Sequence, residues 1–141
     1  MERSPGSPPA GQTILIVEDD RLFRRSLVTY LAALGFETIS AASAEKALGQ
    51  VAHRHVDLLV TDLMLPAGSG IELVRAMRER GQFVPVVLLS GYLNSRAHRE
   101  ATETGIDVVL NKPADLVQLE TAVWECLRGR GWEHTLHMSQ S

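Results

Sequence analysis

Five positions in this chain carry chemistry that packing alone does not require: Glu18, Asp19, Asp62, Ser90 and Lys112. In "ILIVEDD", Ile14 to Asp20, an apolar run ends in three successive carboxylates, Glu18, Asp19 and Asp20. Two carboxylates about 4 Å apart repel by roughly 4 kcal/mol at an effective dielectric near 20. Further along, "LLVTD" ends at Asp62, "VVLLS" ends at Ser90, and "NKP" supplies Lys112 and Pro113. If these segments are neighbours, three carboxylates and one ammonium converge. Such an oxygen-only set suits a hard divalent cation, Mg²⁺ or Mn²⁺, which keeps several waters and favours partners bearing phosphate. A metal that neutralises Glu18, Asp19 and Asp62 explains why their charges stay together.

A lone aspartate beside such an ion is a nucleophile toward phosphorus, and its product is an acyl phosphate. Phosphoryl transfer needs positioning and charge neutralisation more than acid-base chemistry. A bound ion would neutralise charge shared by Asp62 and the phosphoryl group, Lys112 would take a phosphoryl oxygen as a point charge, and the Ser90 hydroxyl would donate to another. Asp20 has a plainer use, as the N-cap of the helix that follows.

The elements that must hold these groups can be read from periodicity. "TILIV" (Thr13–Val17), "DLLVT" (Asp57–Thr61) and "VPVVLLS" (Val84–Ser90) are near-continuous apolar runs, as in parallel strands covered on both faces. "ETISA" (Glu37–Ala41) and "DVVLN" (Asp107–Asn111) are more mixed and suit edge strands. Between them fall helical stripes. Leu22, Phe23, Ser26, Leu27, Tyr30, Leu31 and Leu34 form one, closed by Gly35. Ala44, Ala47, Leu48 and Val51 form the second, with Ser43 as N-cap, and Ile71, Val74 and Met77 the third, with a Ser69/Glu72 capping box and a stop at Gly81. Ser95 to Thr104 is almost wholly polar, with only Ala97 and Ala101 spaced to face inward. The last stripe is Leu116, Leu119, Val123, Cys126 and Leu127, after Asp115 as N-cap. Strict alternation predicts an open α/β sheet with right-handed crossovers, and sites in such sheets lie outside the carboxyl ends of the strands.

Composition narrows the classes. With 141 residues, 45% hydrophobic and 22% charged, the chain fits one soluble domain. A formal charge of -3 and a pI of about 5.9 speak against nucleic-acid binding by this domain. No apolar run approaches the ~20 residues needed to span a bilayer, and no hydrophobic signal region opens the chain, so a cytoplasmic protein without a membrane partner is expected. The single cysteine, Cys126, excludes an internal disulfide and is expected to be an inert core residue. Residues 1–12, rich in Pro, Ser and Gly, read as a flexible lead-in, 13–129 as the domain, and 130–141 as a tail. That tail is too short for an output domain, so the chain is expected to be a stand-alone unit or one cut from a longer protein.

"ILIVEDD", "LLVTDLMLPAGSG", "VVLLSGY" and "VLNKP" together resemble the four signature segments of response-regulator receiver domains, in the same order and at the same spacing, over about Thr13 to Gly129. The resemblance implies a flavodoxin-like, doubly wound, five-stranded parallel sheet of order 2-1-3-4-5, with five helices on its two faces. It implies phosphorylation of Asp62 by a phosphohistidine on a sensor histidine kinase or phosphotransfer protein. In this scheme Asp19 is a direct metal ligand, Glu18 acts mainly through water, and the backbone carbonyl of Met64 completes the protein ligands. Ser90 matches the switch hydroxyl and Lys112 the family lysine, followed by Pro113. Met64 and Tyr92 match the positions flanking the path of the hydrolytic water. Val109 departs from the family: it stands three residues before the lysine, where Tyr or Phe is usual. Output is expected through the face of the fourth helix, fifth strand and fifth helix, toward a downstream effector or a second copy.

Rival readings fit less well. Aspartate-nucleophile phosphatases carry a second aspartate two residues after the nucleophile, where this chain has Met64. A flavin carrier needs phosphate-binding hydroxyls and amides after the first strand, and Glu18 and Asp19 have the wrong sign. A purely structural module with a dead site predicts loss of a site residue, and none is missing. The chain is therefore read as a phosphoacceptor signalling domain, not an enzyme with turnover on small substrates. Among the remaining residues, His53 and His55 are expected to sit on the surface without ligand partners, and Trp124, off the last stripe, is expected either to be half-packed or to contact a partner.

Overall fold

The computed structural model describes residues 11–91, 95–113 and 115–128. Five strands form one parallel sheet: β1 (Thr13–Val17), β2 (Glu37–Ala41), β3 (Leu58–Asp62), β4 (Val86–Ser90) and β5 (Val108–Asn111), in the order β2-β1-β3-β4-β5. Helices α1 (Arg21–Ala33), α2 (Ala44–Val51), α3 (Gly70–Glu79), α4 (Ser95–Thr104) and α5 (Leu116–Arg128) alternate with them. A short antiparallel pair, Met64–Leu65 against Gly68–Ser69, precedes α3. The flavodoxin-like order expected from the resemblance is the one observed, and the two mixed strands, β2 and β5, are the edges.

Alternation along the buried strands splits the core into two layers. Ile14, Ile16, Leu58, Val60, Val87 and Leu89 pack with Leu27 and Leu31 of α1 and Leu119, Val123 and Cys126 of α5. Leu15, Val17, Leu59 and Val86 face the other way, onto Ala47 and Val51 of α2 and Leu73, Val74 and Met77 of α3. Helix α4 has only a small cluster, in which Ala101 and Ala97 meet Leu63, Ile71, Leu88 and Val109.

Element ends follow local chemistry. Asp20 caps α1, Ser43 caps α2, and Ser69 with Glu72 forms the expected capping box on α3. Gly35 (φ 107°) closes α1: its N–H donates to the Ala32 carbonyl while Phe36 N–H donates to that of Leu31. Gly81 (φ 82°) ends α3 in the same manner, with bonds to Arg78 and Met77. Strand limits shift from the periodic reading. β4 starts at Val86 rather than Val84, because Pro85 offers no N–H to the ladder. β3 and β5 start one residue late, because Asp57 and Asp107 turn their carboxylates to cap neighbouring strands at Thr13 N and Val86 N.

Two expectations on single residues change, and of the two readings of Trp124 the half-packed one is observed. Leu22 lies on the α1 stripe yet is 75% exposed. His55 has a carboxylate partner after all, Asp57 at 2.9 Å, on a side chain that is otherwise exposed. Trp124 packs on the core against Phe36, their rings 5.7 Å apart.

Candidate functional site

The backbone ladder runs on past the strand ends and thereby fixes the site. Glu18 N–H donates to the Ala41 carbonyl, Leu63 N–H to Leu89, and Lys112 N–H to Ser90 at 2.8 Å. These bonds tie Glu18 to β2 and tie Leu63 and Lys112 to β4, while the pairing of Val17 with Thr61 sets Glu18 next to Asp62 at the adjoining ends of β1 and β3. Helix α3 begins hard against the same backbone, with Gly70 N–H on the Leu63 carbonyl at 2.8 Å.

Four of the expected side chains meet. Lys112 Nζ donates to Glu18 Oε1 and to Asp62 Oδ2, each at 2.9 Å. Glu18, Asp19 and Asp62 each place a carboxylate oxygen within 4.8 Å of the others. Glu18 and Asp62 are buried, whereas Asp19 is exposed and leaves the cluster open to solvent. Glu18 Oε2 also accepts from the Asp20 N–H at 2.9 Å. Three carboxylates face one ammonium, so negative charge is left over. The donor set is all oxygen and open on one side, which fits a hard divalent cation.

The charges shift one another. Burial pushes the Glu18 carboxyl above its ordinary value of 4.5; the Lys112 and Asp20 hydrogen bonds oppose this only in part. Burial alone would lower the Lys112 ammonium, but the hydrogen bonds from Lys112 to Asp62 and Glu18 outweigh it and raise it above 10.5.

The other expected residues stand around this cluster. Ser90 is buried at the end of β4, one strand from Asp62. Met64 lies two residues past Asp62, its backbone in the short antiparallel pair and its side chain 69% exposed. Val109 packs in the small α4 cluster, opposite Leu88. Pro113 is exposed and follows a cis peptide bond. Tyr92 lies outside the described residues.

Three contributors were not picked out from the sequence as parts of the site. The Phe23 ring centroid is 5.0 Å from Lys112 Nζ. Arg24 Nη1 donates to the Glu18 carbonyl at 2.7 Å. Gly70 admits the close approach of α3: a Cβ there would fall 2.3 Å from the Asp62 carbonyl oxygen. A signal for the first two existed. Once Asp20 caps α1, positions 23 and 24 fall in the first turn, back over the strand end.

Comparison with known proteins places this arrangement. The sequence profile described as "Response regulator receiver domain" matches residues 14–124. The chain is 36% identical over 121 residues to the Regulator of RpoS of Escherichia coli, covering 85% of this chain and 36% of that protein. It is 36% identical over 115 residues to the two-component response regulator PhoP of Pseudomonas aeruginosa, covering 82% of this chain and 51% of that one. The chain thus spans between a third and about half of the length of these two relatives. Among solved structures, a CheY-like receiver domain protein of Methanospirillum hungatei superposes with a TM-score of 0.79 at 27% identity, covering 84% of this chain and 95% of the other.

Proposed function

The chain belongs to the response regulator receiver domain family of two-component signalling, and from that premise we propose that Asp62 is the carboxylate that accepts its phosphoryl group. The observation that carries the assignment is the Lys112 ammonium, bound at 2.9 Å to both Asp62 and Glu18 with Asp19 alongside. An Asp62 oxygen attacks the phosphorus of a phosphohistidine on a sensor kinase or phosphotransfer protein. The P–O bond forms as the P–N bond breaks, and the imidazole leaves with the electron pair. Lys112 exchanges a carboxylate for a phosphoryl oxygen, and the Ser90 hydroxyl donates to another. Glu18, Asp19, Asp62 and the Met64 carbonyl would hold Mg²⁺, which neutralises the phosphoryl oxygens when bound. Lys112 in place supplies one positive charge against three negative ones, so the cation is needed for the anionic donor to approach.

The rest of the reading follows from the same family. The domain runs over residues 13–129, assists its own phosphorylation rather than turning over small substrates, and works in the cytoplasm. Among the described residues no helix is long and apolar enough to cross a membrane. Output passes through the face of α4, β5 and α5, to an effector or a second copy. In favour of that face, α4 rests on little more than Ala97 and Ala101 and so shifts at low cost.

Incubation with acetyl phosphate and Mg²⁺, borohydride trapping and mass spectrometry tests the assignment. Label is expected on Asp62 only, and lost in Asp62→Asn or when the metal is chelated. Label elsewhere, or labelling that persists in Asp62→Asn, overturns it.

A further inference from the structure

We propose that Phe23 is a positioning residue for Lys112, a fixed contact that holds the ammonium group in place while its carboxylate partners are exchanged for a phosphoryl oxygen. The inference rests on the reading of Asp62 as the acceptor and adds a residue to it.

Among the described residues, Lys112 Nζ meets Glu18 Oε1 and Asp62 Oδ2 at 2.9 Å and the Phe23 ring at 5.0 Å from its centroid. The two carboxylates cannot keep this geometry through the reaction. Asp62 becomes an acyl phosphate, a mixed anhydride, and Glu18 belongs to the proposed metal-binding group. The ring neither titrates nor ligates a metal, and the quadrupole of its face attracts a cation wherever the carboxylates turn.

Phe23 is also well anchored. Its N–H donates to Asp20 Oδ1 at 3.2 Å, and Arg24 N–H donates to the Asp20 carbonyl at 2.8 Å, which locks the first turn of α1 onto the strand end. The ring is half-buried against the layer containing Ile14, Ile16 and Leu27. Gly91 runs alongside the Lys112 stem, where an added Cβ would lie 3.7 Å from Lys112 Cβ. Its ammonium is sheltered, with 24% of the side chain exposed, which favours attraction to an aromatic face over hydration. A leucine would fill the same space without offering a negative face.

Two measurements decide the matter. In proton NMR the Lys112 ε-methylene, assigned by its loss in Lys112→Arg, should be shifted upfield by the ring in wild type. That shift should persist with Mg²⁺ and beryllofluoride, be kept in Phe23→Tyr and be lost in Phe23→Leu. In labelling by acetyl phosphate at saturating Mg²⁺, Phe23→Leu should be slower by about three- to tenfold and Phe23→Tyr within about twofold of wild type. The Mg²⁺ midpoint should be unchanged in both, because Phe23 offers no ligand. Equal slowing of the two variants, wild-type speed in Phe23→Leu, or disappearance of the ring shift on adding beryllofluoride overturns the proposal alone. A wild type that takes no label on Asp62 overturns the acceptor reading, and this proposal with it.

Discussion

Gly70 leaves no room for a methyl group. A Cβ there would meet the Asp62 carbonyl oxygen at 2.3 Å and Thr61 Cγ2 at 3.0 Å, so the start of α3 and the Asp62 backbone are packed as one piece. Gly70→Ala is expected to cost about 1–3 kcal/mol, read by urea denaturation, and to slow labelling of Asp62 by displacing its backbone. Glu18 supplies a second residue-scale expectation. Its folded pKa is raised, so the native state holds that proton more tightly than the unfolded chain does. The stability this contributes is complete below the ordinary value of 4.5 and is lost as pH rises through the raised one. In metal-free buffer, wild type should therefore lose melting temperature relative to Glu18→Gln as pH increases from about 4.5, and millimolar Mg²⁺ should abolish the difference. The carboxylates of the site were legible because a run of them after an apolar strand has no packing reason to exist. Phe23 and Arg24 were legible only as first-turn positions over the strand end, and Gly70 not at all. Each has an ordinary local role, on a helix stripe or beside a cap, and its second role is a contact with a residue distant in sequence.

At the scale of elements, α4 is the weakest attachment. Among the described residues, Ala97 and Ala101 anchor it in the apolar cluster, and its ion pair Arg75–Glu100 spans 3.9 Å between half-exposed side chains, a geometry worth little. Its C-terminal end is different. Arg78 of α3 donates to the carbonyls of Thr104 and Gly105, so the last turn is tied to the neighbouring helix. Any shift that starts at Ser90 should therefore be largest at the start of α4 and smallest at Thr104. Hydrogen exchange with and without beryllofluoride is expected to show that gradient over residues 95–104, and Arg78→Ala should flatten it. Uniform change, or none, would remove this helix from the response. The sequence marked the weakness of α4 through its polarity, but the clamp was hidden, because an arginine in the last turn of a helix ordinarily serves its own carbonyls. Strand starts were similarly misplaced by one or two residues, where Asp57, Pro85 and Asp107 act on neighbouring strands rather than within their own.

Among the described residues the sheet separates an apolar layer under α1 and α5 from one under α2 and α3, which the small α4 cluster adjoins. Alternating strand and helix signals sufficed to predict the class of fold. The order of the strands came from the family resemblance, because periodicity carries no information on which strand lies beside which. The two rims of the sheet are built differently. At the rim where strands begin, glycines close helix ends, and Asp57 and Asp107 cap Thr13 and Val86. At the rim where strands end, burial and charge are set against one another around Lys112. This asymmetry should divide the effects of mutation into two kinds. In a scan that measures protein abundance and signalling together, changes at the first rim should lower both, since losing a left-handed glycine or a cap costs folding. Charge-removing changes at Glu18 or Asp19 should silence the signal and leave abundance equal or higher. The chain gives up some durability at one end to keep a reactive mouth, and the sealed base at the other end supports it.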